Sequence, residues 1–507
     1  MQLILVFAVF IFIDLAYSLV AIIGGDNQCT AEEFQRVLNL VDENAEVRID
    51  CVEDLIFINE TIVFKKPVAI DGRGKTIIST VGSDNVLFNI SLSQSTEEYE
   101  IIKIFDMKIF MTDNNSTAIS VRNQSTNIDI FGLQFNSMGA NYNAIITENC
   151  GNVTVVKTMF FDSDVSIRCT FCKGSYFRDN KVSTSDGRKG KISMHVTDAF
   201  GRVEFKKNRI ENCVGYNERL IFLRSATNTV EFSENVVDNI QINGSLIHIV
   251  NTKEAQVKNN FISNTKYGRV FQLTSLEKLK FTDNIIVNNN VKRTVSIIKS
   301  QTTNIIFNQF IGNNCTQFNL CSRIGDFILM QNNLFFKNIA AFGGGIQIAI
   351  TKKVESDGNR FVRNVATRKG NVMFIKDVAQ LISKNDLFAA NGNGSNTLNV
   401  VNSTAMINSA VFICNNGTFA NAISRGVNIK VKDSIFGSKD ATCSSTLISQ
   451  SMFFKMTNEP TVDNCGDNVM WKLANSVSDT CSMFDRYPPR CIQLFKSYEK
   501  CWESSNI

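Results

Sequence analysis

The spacing of one residue pair limits what this chain can become. Phe-x-x-Asn recurs at Phe177/Asn180, Phe205/Asn208, Phe232/Asn235, Phe281/Asn284, Phe310/Asn313, Phe335/Asn338, Phe361/Asn364, Phe388/Asn391 and Phe412/Asn415. Successive steps are 28, 27, 49, 29, 25, 26, 27 and 24 residues, and Val257-x-x-Asn260 divides the step of 49 into 25 and 24. Apolar equivalents at Ile104, Ile130 and Val155 carry the series upstream, and Val431 adds one downstream. A repeat of this length marks a solenoid in which each period is one circuit of the chain.

Each period divides into three short strands. The first carries the Phe and ends at the Asn, as in Val230-Glu231-Phe232-Ser233-Glu234-Asn235, where apolar and polar residues alternate. The second is more apolar: Leu220 to Leu223, Leu246 to Val250, Val270 to Leu273 and Phe327 to Met330. The third leads into the next Phe. Helical and leucine-rich repeats would instead space apolar residues by about 3.6 positions. The predicted class is all-β: a right-handed single-stranded parallel β-helix with an N-terminal capping helix and a Cys-rich C-terminal cap.

One circuit cannot bury its inward side chains alone, so circuits stack about 4.8 Å apart and pair each other's backbone groups. One Phe per circuit is expected to point inward onto its counterpart. An Asn at a fixed place suits the turn, tolerates left-handed backbone and can hydrogen-bond the Asn of the next circuit. The 39 Phe and 58 Asn of the chain follow from that pattern.

Four segments are expected: a signal peptide over 1–18, an N-terminal cap with an amphipathic helix over 19–60, β-helix coils over 61–440, and a Cys-rich cap over 441–507. Leu3 to Ile13 is an apolar run too short to span a bilayer, and Ala16-Tyr17-Ser18 offers a cleavage site after Ser18. Thr30-Ala31-Glu32-Glu33 reads as a capping box leading into Phe34, Val37, Leu38 and Val41. Cys29 and Cys51 are placed to staple that cap, and Cys443, Cys465, Cys481, Cys491 and Cys501 to build the other. All 14 cysteines lie beyond Ser18, which suits an oxidising compartment. Cys169-Thr170-Phe171-Cys172 has redox or zinc spacing but no second pair beside it, so it is read as a disulfide.

Eleven Asn-X-Ser/Thr sequons, at Asn59, Asn89, Asn114, Asn115, Asn123, Asn152, Asn243, Asn314, Asn393, Asn402 and Asn416, point to a secreted or cell-surface glycoprotein of the extracellular matrix. No second long apolar stretch predicts a membrane span. Formal charge is 52 minus 48, or +4, so bulk electrostatics gives no reason to expect nucleic acid. With 2 histidines a multi-histidine metal centre is excluded, and no cofactor is expected. His195 and His248 are read as structural or surface residues.

Asp71-Gly72-Arg73-Gly74-Lys75-Thr76-Ile77 resembles the opening coil of the pectin-lyase-like right-handed β-helix superfamily, a resemblance that covers nearly the whole chain. The Phe-x-x-Asn repeats, with Gly343-Gly344-Gly345-Ile346 after Phe335-Phe336-Lys337-Asn338, are also similar to the repeats of polymorphic outer-membrane proteins, adhesive passengers of autotransporters. Two departures stand: Gly-Gly-x-Ile occurs once, and no C-terminal β-barrel is visible. These resemblances imply a surface-exposed or secreted β-helix that touches an extracellular polysaccharide or a cell-surface protein.

The Asn-Thr-Asp, Asp-Asp, Gly-His-Gly and Arg-Ile-Lys motifs of polygalacturonase-like members do not occur. Glycosidic hydrolysis needs two carboxyl groups at a set separation. The local candidates are Asp162 and Asp164, two residues apart on one strand face, with Asp186 one coil on. The 22-residue step from Val155 to Phe177 sets Asp164 over Asp186, and Arg168, Arg188, Lys189 and Lys191 lie near. Arg224, Lys299, Lys352 and Lys376, at strand ends, are expected to form a weakly basic strip. The sequence thus predicts a non-catalytic structural or adhesive β-helix that binds a glycan or protein. The alternatives are a polysaccharide lyase or glycoside hydrolase, and a purely architectural matrix component.

Overall fold

The computed structural model describes residues 20–473 except 26–28, 93–100, 123–125, 138–140, 185–192, 216–218, 226–227, 370–371, 393–395, 414, 416–417, 423–427, 438–447, 450–451, 457–460 and 466–467. The chain divides into two units, Met1–Asn243 and Gly244–Ile507. Each is a right-handed parallel β-solenoid.

One circuit of the second unit shows how the sequence builds a coil. Ile285–Val287 is followed by left-handed Asn288 (φ 54°) and buried Asn289. Asn290–Ile306 follows, bent at left-handed Lys299 (φ 57°), and then Phe307 (φ 57°) and buried Asn308 return the chain to the next short strand, Gln309–Ile311. Ile285 pairs with Gln309 and Ile286 with Phe310, in parallel. At the two asparagine corners the left-handed residue is thus the one before the ladder asparagine. Lys207, Glu234 and Arg363 occupy it as readily as asparagine does. Its N–H is used by the next rung, as in Phe307 N–H to the Gln331 carbonyl at 3.0 Å. That bond offsets the roughly 1 kcal/mol or more that a left-handed L-residue costs.

The Phe-x-x-Asn series resolves into two columns on different faces. In the first unit Ile104, Ile130, Val155, Phe177, Phe205 and Phe232 are successive register partners. In the second unit Phe281 continues to Ile305 and Met330, whereas Phe310 sits over Ile286 and begins the column Phe310, Phe335, Phe361, Phe388, Phe412. The step of 29 is a circuit of 24, Ile286 to Phe310, plus the 5 residues from Phe281 to Ile286. The second column stacks tightly, with ring centres 4.7, 5.0, 5.1 and 4.5 Å apart.

The asparagines likewise form separate ladders. Asn180, Asn208 and Asn235 make one in the first unit. Asn260, Asn284, Asn308, Asn333 and Asn359 make a second, ending on Asp386, and Asn289, Asn313, Asn338, Asn364, Asn391 and Asn415 a third. At each rung the backbone N–H and one amide hydrogen donate to the Oδ1 of the next Asn. The other amide hydrogen goes to a strand carbonyl, as from Asn313 Nδ2 to the Ile286 carbonyl at 2.8 Å. A buried amide so placed leaves no donor unsatisfied.

At the N-terminus Val20–Gly24 pairs in parallel with Glu46–Asp50. The helix Ala31–Leu40 buries Ala31, Phe34, Val37 and Leu38, and Thr30 Oγ1 accepts from Glu33 N–H at 3.2 Å. The expected box is half made, because the Glu33 carboxylate instead holds Arg36 at 2.7 Å. Gln35 completes the cover: its Nε2 donates to the Val63 carbonyl at 3.0 Å and its Oε1 accepts from Val63 N–H at 2.8 Å, so a side-chain amide stands in for a neighbouring strand. A disulfide joins Cys29 to Cys51.

In the second unit parallel pairing continues past residue 440, through Ile448–Ser449 and Met452–Met456 to Asn468–Leu473, which also pairs antiparallel with Thr461–Cys465. Cys443, Cys481, Cys491 and Cys501 lie outside the described residues, as do residues 1–18, and the disulfides described are Cys29–Cys51 and Cys169–Cys172. Among the described residues no helix is long and apolar enough to cross a membrane.

Candidate functional site

The aspartates singled out in the sequence lie at a corner rather than on a strand face. Asp162 is left-handed (φ 55°), its N–H bonded to the Ser183 carbonyl at 3.2 Å, and Asp164 N–H bonds to the Tyr142 carbonyl at 2.8 Å. Between them Ser163 is buried against Ser166, 2.8 Å away. Asp186 and Arg188 lie outside the described residues. The 22-residue step holds at Phe161 to Ser183 and is 27 at Ile167 to Met194. Among the described residues no group of three or more His, Cys, Asp or Glu is arranged to hold a metal ion.

The supposed basic strip is mostly neutralised. Arg224 bonds Asp198 at 2.7 Å, Lys352 pairs with Asp326 at 2.8 Å, and Lys376 lies 3.9 Å from Asp377. Lys299, Asp326 and Lys352, with Ile324 and Ile350, line an open groove of about 740 Å³ in the second unit. His195 packs its ring edge-on to Phe222, and burial, followed by the positive charges of Arg168 and Arg219, lowers its pKa. His248 is buried.

Two features were missed in the sequence. The first is a clamp in the first unit: Glu204 and Glu231, only 4% and 3% exposed, are register partners. Arg178 grips Glu204 through Nε at 2.6 Å and Nη2 at 3.2 Å, while Arg202 lies 3.3 Å from Glu204 and also bonds Glu231. Ser233 Oγ donates to Glu231 at 2.9 Å. The signal was the repeated Val-Glu-Phe at 203–205 and 230–232. Guanidinium and hydroxyl donors already engage these carboxylates, so the arrangement ties two rungs together.

The second is a cleft of about 350 Å³ in the second unit, lined by Arg293, Gln317, Phe318, Arg323, Phe342 and Arg368, with Thr316 and Ala341. Arg269 and Arg293 are register partners, and Arg293 in turn faces Phe318. Both Arg293 and Arg323 lie over the Phe318 ring, 5.6 and 5.7 Å from its centre, and Arg368 lies 5.8 Å from the centre of Phe342. The two rings are 5.8 Å apart. Arg293 Nε donates to Gln317 Oε1 at 2.6 Å and Arg269 Nη1 to Gln272 Oε1 at 2.6 Å, which fixes both guanidiniums through neutral partners.

Two β-bulges shape the cleft. Register slips between Val291–Arg293 and Cys315–Phe318, and again between Ala340–Phe342 and Ala366–Lys369. An extra residue in one strand re-aims its neighbours' side chains, a device frequent beside binding sites. Among the described residues none of Arg269, Arg293, Arg323 and Arg368 forms an ion pair, whereas Arg178, Arg202, Arg209 and Arg224 of the first unit each hold a carboxylate. Burial, with Arg269 and Arg323 as positive neighbours, lowers the pKa of Arg293. A cleft of this kind attracts an anion and offers rings for an apolar face.

No family model and no curated protein matches the chain. Among solved structures it is similar to the A-module of mannuronan C-5 epimerase AlgE6 from Azotobacter vinelandii, at a TM-score of 0.26 and 10% identity over 82% of this chain and 97% of that one. No residue role is carried over from it. The resemblance to outer-membrane protein repeats finds no counterpart in these comparisons.

Proposed function

We propose that the chain is a secreted, glycosylated, non-catalytic β-solenoid that binds an anionic glycan, free or carried on a cell-surface protein, in the arginine and phenylalanine cleft of its second unit. The observation that carries this reading is the set of cleft arginines held by amides and rings instead of carboxylates. Arg293 and Arg323 are half-buried cations without a counter-ion, which are costly to keep and become favourable when a ligand supplies the charge. Extracellular placement is supported by exposed sequon asparagines at Asn59, Asn114, Asn115, Asn243, Asn314 and Asn402, with Asn89 and Asn152 half-buried; Asn123, Asn393 and Asn416 lie outside the described residues. The disulfides Cys29–Cys51 and Cys169–Cys172 fit an oxidising compartment. A Cys-rich C-terminal cap built on Cys443 to Cys501 belongs to the same reading.

The test pairs retention with turnover. Purified protein is passed over insoluble acidic and neutral polysaccharides, and the same polymers are followed for unsaturated products and new reducing ends. Retention on acidic polymer without products supports the proposal. Turnover that disappears in Asp164→Asn would instead establish the lyase or hydrolase.

A further inference from the structure

The cleft arginines come from different rungs. Arg293 lies in Asn290–Ile306, Arg323 in Asn314–Gln331 and Arg368 in Val365–Lys369, three circuits on from the first. Strands of adjacent rungs lie about 4.8 Å apart, so these guanidiniums approach the cavity from separated origins. A carboxylate is planar and presents two oxygens, and one guanidinium fork already satisfies one edge of it. Three forks arriving from three rungs match an acceptor whose oxygens point in three directions. The rest of the lining holds few groups that read sugar hydroxyls: the Thr316 hydroxyl and the Gln317 amide nitrogen are there, the Gln317 carbonyl oxygen is taken by Arg293, and the rings of Phe318 and Phe342 are apolar.

We infer that the ligand group held here is a tetrahedral oxyanion ester, a sulfate or phosphate monoester on a sugar ring, with its three terminal oxygens among the guanidiniums of Arg293, Arg323 and Arg368 and the apolar face of the ring against Phe318 and Phe342. This rests on the reading that the cleft binds an anionic glycan, and it names the anion. The cavity of about 350 Å³ suits one substituted ring rather than a long stretch of polymer.

Four probes of matched size separate the possibilities: sulfated cellohexaose, phosphorylated cellohexaose, hexagalacturonate, which carries carboxylates only, and unmodified cellohexaose. Each is titrated calorimetrically against the full chain and against Arg293→Gln, Arg293→Lys and Arg368→Gln. Arg368 is exposed, so its removal leaves the packing in place, and circular dichroism checks the fold of every variant. The expected result is that one or both esters bind about tenfold or more tighter than hexagalacturonate. Arg368→Gln and Arg293→Gln should then each lose about tenfold, and Arg293→Lys an intermediate amount, because it keeps charge without the fork. Which ester binds decides between sulfate and phosphate. Hexagalacturonate binding as tightly through the same arginines would overturn the ester assignment while leaving the glycan-binding proposal intact. Failure of all probes to bind, or binding that every arginine variant retains, would overturn both.

Discussion

A single substitution in a repeated ladder gives the clearest residue-scale consequence. Where the ladder of Asn359 would continue with asparagine, residue 386 is aspartate: Oδ1 accepts from Asn359 N–H at 2.7 Å, and Oδ2 from Ser356 and Ser383 hydroxyls at 2.6 and 2.5 Å. Burial pushes its pKa up to about 6 from the ordinary 3.8, against the pull of those donors. A carboxyl raised in the folded state binds its proton more tightly there, so its contribution is complete below pH 3.8 and is lost as pH rises through about 6. That loss is on the order of 3 kcal/mol. Asp386→Asn is therefore predicted to raise Tm at pH 7 and flatten the stability profile between pH 4 and 6, which thermal melts from pH 4 to 7 check; a lower Tm for the variant at pH 7 would refute it. At the Glu204 and Glu231 clamp, Arg202→Met removes a guanidinium from two buried carboxylates and should cost about 1–3 kcal/mol in urea unfolding, discounted for the exposure of the arginine. Adding Glu231→Gln should recover part of that, and no recovery would remove the clamp from the account.

Among the elements, the rungs are held by two kinds of column whose removal costs differently. Phe335 sits between Phe310 and Phe361, with centres 4.7 and 5.0 Å away, so Phe335→Ala opens a cavity in the middle of a stack and should destabilise the chain by about 3–5 kcal/mol. Asn338→Ala leaves Asn313 N–H and Nδ2 without their acceptor and should cost about 1–3 kcal/mol. Denaturant midpoints of the two variants, measured at equal m-value, test both; a change below 0.5 kcal/mol, roughly what a surface substitution gives, would contradict the stacked columns. The coil itself was legible in the sequence because inward residue, outward residue, corner residue and asparagine recur once per circuit. The two columns were merged because the same four-residue pattern serves two corners, and the step of 29 between Phe281 and Phe310 was the trace of the change of face. The cleft was not legible. Arg269, Arg293, Arg323 and Arg368 follow at steps of 24, 30 and 45, since two bulges and different positions in the circuit break the period. Gln35 was hidden for a related reason: a lone amide on a helix gives no pattern until the strand it covers is in place.

For the whole molecule, a net charge of +4 conceals an uneven use of arginine, tied to carboxylates at the clamp of the first unit and left to amides and aromatic rings at the cleft of the second. Binding through such a cleft must weaken with ionic strength, since salt screens partly exposed charges over about 10 Å at 0.1 M. The measurement that bears most directly on the account is a calorimetric titration of the full chain with an acidic oligosaccharide at 20 and 200 mM salt, roughly either side of that screening regime, with Arg293→Gln/Arg323→Gln alongside. Affinity should fall with salt in the wild type, and the double variant should bind at least about tenfold more weakly at low salt while keeping its fold. Equal affinity of the two proteins at both salt concentrations would show that the cleft is not where the chain meets its partner.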